Sequence, residues 1–129
     1  MRNIGIAGFG TVGQGFFSQI NKNFKNFKVI QIAVKNVKKK RKINLKNIKV
    51  TSKVQELAIN PNIQVLVECI GGSSGAVYKL VKTAIENKKH IITANKALLA
   101  IHGNELVKLA EKNNVSISYE AAIAGGIPI

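Results

Sequence analysis

The stretch Asn3-Ile4-Gly5-Ile6-Ala7-Gly8-Phe9-Gly10-Thr11-Val12-Gly13 near the N-terminus decides how the rest of the chain is read. A short apolar, β-branched run ends in three glycines spaced as G-x-G-x-x-G. A periodic segment then follows, with Val12, Phe16, Phe17 and Ile20 on one face. Each glycine has a physical task in such a strand-to-helix turn. The first makes the tight turn, the second lets the backbone approach a pyrophosphate, and the third lets helix and strand pack closely. The N-terminus of the helix that follows presents free N–H groups and a partial positive charge to phosphate. The motif therefore points to dinucleotide binding by Gly8, Phe9, Gly10, Thr11, Val12 and Gly13. A purely structural turn needs no three glycines at this spacing.

Working outward, apolar segments alternate with periodic ones along the whole chain, which is the pattern of α/β architecture. Strands are expected at residues 3–9, 28–35, 48–51, 64–70, 90–93 and 115–120. Helices are expected at 11–22, at 52–60 with Ser52 as the cap, at 75–87, at 96–100 and again at 103–113. Val29-Ile30-Gln31-Ile32-Ala33-Val34 has the β-branched enrichment of a buried parallel strand. Val77, Leu80, Val81, Ala84 and Ile85 recur at helical spacing, and Leu106, Leu109 and Ala110 are read as inward. Right-handed crossovers then leave one leading topology, a Rossmann-like doubly wound parallel sheet of about six strands with helices on both faces.

Bulk properties narrow the function classes. At 129 residues the chain is one domain by length. No apolar run reaches the roughly 20 residues of a membrane span, and the N-terminus has no secretory signal, so a cytoplasmic protein is expected. Cys69 is the single cysteine and reads as a small buried hydrophobe. The net charge of +14 includes the run Lys38-Lys39-Lys40-Arg41-Lys42 and invites a nucleic-acid reading. With aromatics at 5% there is no base-stacking platform, and a solvated loop is the better reading.

The choice of dinucleotide rests on the end of the second strand, where an Asp or Glu about 20 residues after the fingerprint would hold the ribose 2′-hydroxyl of NAD. That region is Val34-Lys35-Asn36-Val37-Lys38, and no carboxylate lies between Thr11 and Glu56. Lys35, supported by Lys38 or Lys39, would attract a 2′-phosphate, so NADP(H) is favoured over NAD(H). The bland alternative is that these lysines share the general basic bias.

Two later strings are too particular for periodicity to explain. They are Val67-Glu68-Cys69-Ile70-Gly71-Gly72 and His90-Ile91-Ile92-Thr93-Ala94-Asn95-Lys96-Ala97-Leu98-Leu99-Ala100. With the fingerprint and the tail Tyr119-Glu120-Ala121-Ala122-Ile123-Ala124-Gly125-Gly126-Ile127-Pro128-Ile129, they closely resemble the NAD(P)-binding domain of homoserine dehydrogenases, in the same order. The resemblance implies an oxidoreductase that interconverts L-homoserine and L-aspartate 4-semialdehyde by hydride transfer, on the way to threonine, methionine and isoleucine. It implies that Phe9, Thr11 and Val12 contact the pyrophosphate through the backbone and that Gly71 and Gly72 lie beside the nicotinamide ribose. Lys96 is implied as the catalytic cation near both nicotinamide and substrate.

In the tail, the resemblance implies a monovalent-cation loop for sodium, with Glu120, Ile123, Gly125 and Ile127 as the matching positions. Residues 119–129 would begin the connection to a substrate and catalytic domain, and the complete enzyme would be a homo-oligomer. The chain by itself is expected to bind cofactor without turning over homoserine. Lys35-Asn36 stands where the family more often has arginine and aspartate, and Ser74-Gly75 where proline is frequent. Two other classes stay open on the residues alone: a free-standing, non-catalytic dinucleotide-binding regulatory module, and a basic nucleic-acid-binding domain. His90 and His102 are read as structural.

Overall fold

The computed structural model describes residues 2–23, 25–38 and 45–120, with the side chains of residues 21–23 left aside. Six strands, β1 (Arg2–Ala7), β2 (Phe27–Ala33), β3 (Lys49–Thr51), β4 (Val65–Glu68), β5 (His90–Thr93) and β6 (Ile117–Tyr119), form one sheet in the order β3-β2-β1-β4-β5-β6. Every pairing is parallel. The sheet therefore has the expected doubly wound order, and each strand falls within two residues of its expected bounds. The chain runs outward from β1 to β3 and then reverses from β4 to β6. The reversal point lies between β1 and β4, where open α/β sheets bind ligands.

The reversal also sorts the helices, because right-handed crossovers in opposite directions fall on opposite faces. One face is covered by α1 (Thr11–Asn23), whose Phe16, Phe17 and Ile20 pack with Ile4, Ile6, Val29, Ile32, Val65 and Val67. On the other face lie α2 (Gln55–Ile59), α3 (Gly75–Glu86) and α4 (Lys96–Lys112). There Leu57, Leu80, Val81, Ile85, Leu98 and Leu106 join Leu66 and Ile91 in a second cluster. The expected inward residues of α3 are all buried. Leu106 and Ala110 of α4 are buried too, and Leu109 packs half-buried against the same cluster.

Two expectations need correction. Residues 96–112 form one helix rather than two, because the buried stripe Leu98, Leu106, Ala110 runs on through Gly103. The cost of a helical glycine, about 1 kcal/mol, is offset by that packing. The helix expected at 52–60 is only the five residues of α2, and Ser52 does not cap it. Instead the Thr51 hydroxyl accepts from the amide of Lys53 (3.1 Å), which prolongs the turn after β3.

Helices α3 and α4 both end with a left-handed residue, Lys88 (φ 64°) and Asn114 (φ 58°). In each, the next amide returns to the last turn: Lys89 to the Ala84 carbonyl and Val115 to that of Ala110, both 3.0 Å. The first of these turns carries Lys89 into the interior, 3% exposed. Its Nζ donates to the carbonyls of Asn60 (2.6 Å) and Ile63 (2.8 Å), tying the exit of α2 to the entrance of β5. Burial holds this amine below the usual lysine range.

Candidate functional site

The candidate cofactor, catalytic and cation residues in the described part of the chain lie at one end of the sheet, where the parallel strands end. The turn after β1 illustrates the division of labour among glycines. Gly8 has φ +92°, and a side chain there would press on the backbone of Cys69 at 3.0 Å. The loops after β1 and β4 thus touch at the reversal point. Gly13 is buried, and a Cβ on it would collide with the Gly8 carbonyl, so its absence lets α1 sit against β1. Gly10 is exposed, with nothing within 4 Å of where its Cβ would stand. That open position at the mouth of α1 is the cradle a pyrophosphate needs. The buried ring of Phe9 meets Phe17 edge to face, 5.7 Å between centroids, and the Phe9 carbonyl accepts from Gln14 Nε2 (3.0 Å). Thr11 is exposed and Val12 half-buried in the first turn of α1.

Lys35 lies two residues beyond β2 and is exposed, as are Asn36 and Lys38. The Asn36 side chain accepts from the Lys38 amide (3.0 Å), which bends the segment just beyond the strand. Lys39 lies outside the described residues.

Gly71 and Gly72 follow β4, both exposed and both at positive φ, 85° and 78°. A side chain added to either would meet nothing within 4 Å. The loop is held from beneath by Glu68, whose Oε2 accepts from the amides of Ile70 (2.8 Å) and Gly71 (2.9 Å). Ser74 caps α3 by accepting from the Val77 amide (3.5 Å).

Lys96 is the first residue of α4 and is exposed. A cation in the first turn opposes the helix dipole by some tenths of a kcal/mol. Its place is therefore not explained by helix stability. The preceding Asn95 caps the helix, its Oδ1 accepting from the Leu98 amide (3.0 Å), and its Nδ2 donates to the Gly72 carbonyl. Lys96 thus begins beside the glycine loop.

Glu120 is half-buried just past β6, its amide donating to the Thr93 carbonyl (2.9 Å). Ile123, Gly125 and Ile127 lie outside the described residues. Among the described residues, no three His, Cys, Asp or Glu side chains gather as a metal site. Nor is any described helix long and apolar enough to cross a membrane.

The two histidines lie apart from this glycine-lined end. His90 Nδ1 accepts from the Ser116 amide (3.1 Å) at the opposite end of the sheet, and burial and Arg2 lower its pKa. His102 stacks on Tyr78, 4.3 Å between centroids. What sequence reasoning missed is the linkage of Glu68, Thr93 and Asn95. The available signal was a carboxylate closing the apolar run Val65-Leu66-Val67, directly before a cysteine, an isoleucine and two glycines.

Comparisons with known proteins bear on this arrangement. A family model described as the NAD-binding domain of homoserine dehydrogenase matches residues 8–120. The homoserine dehydrogenase of Pseudomonas aeruginosa is 42% identical over 98% of this chain, and that of Bacillus subtilis 36% over 98%. The chain spans 30% and 31% of the length of these two relatives. A crystal structure of Staphylococcus aureus homoserine dehydrogenase superposes with a TM-score of 0.84 at 36% identity, covering 94% of this chain and 32% of that one. From the first glycine of the phosphate turn to the residue after β6, sequence and fold give one answer: the chain belongs to the homoserine dehydrogenase family, as its NAD-binding domain.

Proposed function

We propose that this domain is the cofactor half of a cytoplasmic, NADP(H)-preferring homoserine dehydrogenase that interconverts L-homoserine and L-aspartate 4-semialdehyde. The observation that carries the reading is the convergence at the sheet reversal of an open helix N-terminus at Gly10, an unobstructed pair at Gly71 and Gly72, and Lys96 next to them in space. The pyrophosphate fits the first, because donors at the mouth of α1 face open space. Lys35 is the residue for the 2′-phosphate, since it stands just past β2 with no carboxylate between Thr11 and Glu56 to repel one.

The dinucleotide, when bound, supplies the hydride acceptor and donor. Lys96 presents its cation to the substrate oxygen, where negative charge grows as an aldehyde is reduced and falls as an alcohol is oxidised. Contacts to the amino acid and the proton acceptor come from the remaining two-thirds of such an enzyme, of which this chain corresponds to 30% in the Pseudomonas aeruginosa relative. Residues 119–129 begin the connection, with Glu120, Ile123, Gly125 and Ile127 as its sodium ligands; hard oxygen donors suit that ion. The Glu120–Thr93 hydrogen bond supports this, because it fixes where the segment leaves the sheet.

Calorimetric titration of the chain with NADPH and NADH tests the cofactor reading. A folded chain that binds neither overturns it. Fusion after Ile129 to the substrate domain of a homoserine dehydrogenase relative tests the reaction: homoserine-dependent NADPH formation is expected. In that fusion Lys96→Met removes most of kcat and leaves NADPH affinity nearly intact. Full activity of the Lys96→Met fusion takes that residue out of the site.

A further inference from the structure

Glu68 closes β4 with its side chain wholly buried, 0% exposed, and among the described residues no cation pairs with it. Burying a carboxylate this way is costly unless donors meet it. Oε2 takes the two amides of Ile70 and Gly71, and Oε1 accepts from the Thr93 hydroxyl (2.7 Å). Thr93 Oγ in turn accepts from the Asn95 amide (2.9 Å), and Asn95 reaches across to the Gly72 carbonyl. The path closes on itself through residues of β4, its following loop, β5 and the cap of α4.

The sheet itself has no need of a carboxylate here, since Val65, Leu66 and Val67 fill the same strand with apolar side chains. Two successive glycines at positive φ, on the other hand, have wide conformational freedom unless their peptide planes are fixed. Glu68 fixes one amide of that pair directly, and Asn95 fixes a carbonyl. Resting on the dinucleotide reading above, we propose that Glu68 is a positioning residue for the nicotinamide end of the site. Through Gly71 and Gly72 on one side, and Thr93 and Asn95 on the other, it holds the glycine loop and the start of α4 with Lys96 in their ligand-ready arrangement before the ligand arrives. Ordering paid in advance is kept out of the binding step.

The test compares two probes on the 129-residue chain and three variants, Glu68→Gln, Thr93→Val and Thr93→Ser. ADP carries the adenosine and pyrophosphate but no nicotinamide ribose. The second probe is NADPH or NADH, whichever the parent binds more tightly. Glu68→Gln and Thr93→Val are expected to hold ADP within about twofold of the parent while losing about tenfold in dinucleotide affinity. Thr93→Ser, which keeps the hydroxyl, should match the parent for both.

Unchanged dinucleotide affinity in both disruptive variants overturns the proposal. So does a loss of ADP in step with the dinucleotide, which marks general damage to the domain, and so does a Thr93→Ser as weak as Thr93→Val. Should Glu68→Gln not fold, Thr93→Val carries the comparison, because it leaves the carboxylate and its two backbone partners in place. A parent that binds no dinucleotide overturns the function proposed above; a parent that binds it beside unaltered variants overturns the positioning role alone.

Discussion

The carbonyl oxygen of Gly8 occupies the space that a side chain on Gly13 would need, so α1 rests on the end of β1 with no atom to spare. Gly10, between them, borders open space. Two mutations in one motif should therefore fail in opposite ways. Gly13→Ala is expected to lower stability by about 1–3 kcal/mol, as overpacking of backbone against backbone does. Gly10→Val should leave the melting temperature near the parent's and abolish dinucleotide binding. Thermal unfolding with calorimetric titration separates the two, and retained affinity in Gly10→Val would reduce the glycine loop to a turn.

Lys35 should set the cofactor preference. The parent chain is expected to bind NADPH more tightly than NADH, and Lys35→Glu to reverse the order by replacing attraction of a 2′-phosphate with repulsion. The change is read as the ratio of two dissociation constants at fixed ionic strength, because exposed charges are screened. A ratio that Lys35→Glu leaves unaltered assigns the preference elsewhere.

Lys89 is expected to matter for folding and not for binding. Lys89→Met strips the donors from two carbonyls, Asn60 and Ile63, and should cost about 2–3 kcal/mol in chemical denaturation with dinucleotide affinity unchanged. The pH dependence has a definite sign. Burial lowers the folded-state pKa below the ordinary lysine value, so between the two the unfolded chain binds more protons. Stability attributable to this residue therefore rises with pH through that alkaline window, and Lys89→Met removes the rise.

Cys69 should be nearly inert. Burial first, and the neighbouring charge of Glu68 second, push its thiol up to about 12. At pH 8 the thiolate is then about a thousandfold scarcer than in an ordinary thiol. Alkylation of the folded chain should be slower by about that factor than in denaturant. The linkage runs opposite to that of Lys89: the folded state keeps its proton while the unfolded chain loses it, so this contribution falls as pH rises from the ordinary thiol range toward 12. Rapid alkylation under native conditions would show that the site opens.

The sheet was legible in the sequence because its signals are local. Apolar runs such as Val65-Leu66-Val67 mark buried strands, and the three glycines carry their geometry in their spacing. The lower half of the candidate site was not legible for the opposite reason. Glu68 and Thr93 are 25 residues apart, and only the parallel pairing of β4 with β5 brings them side by side. Lys89 is one of twenty basic residues in the sequence, and what distinguishes it is the left-handed turn at Lys88 and carbonyls 26 and 29 residues away. The gap expected at Ile101 and His102, between helices at 96–100 and 103–113, does not form. The buried stripe Leu98, Leu106, Ala110 continues across it.

Among the basic residues whose side chains are described, only Lys89 is buried. Lys35 and Lys96 of the candidate site aside, the others are exposed, where an exchange of side chain leaves the core untouched. A lineage can therefore gather lysines at such exposed positions without disturbing the fold's inheritance. Two buried charged side chains lie at opposite ends of the strands, Lys89 where β5 begins and Glu68 where β4 ends. The exposed Lys35, just past the end of β2, and the buried Lys89, just before β5, thus stand at opposite ends of one sheet, and descendants can change the first while conserving the second.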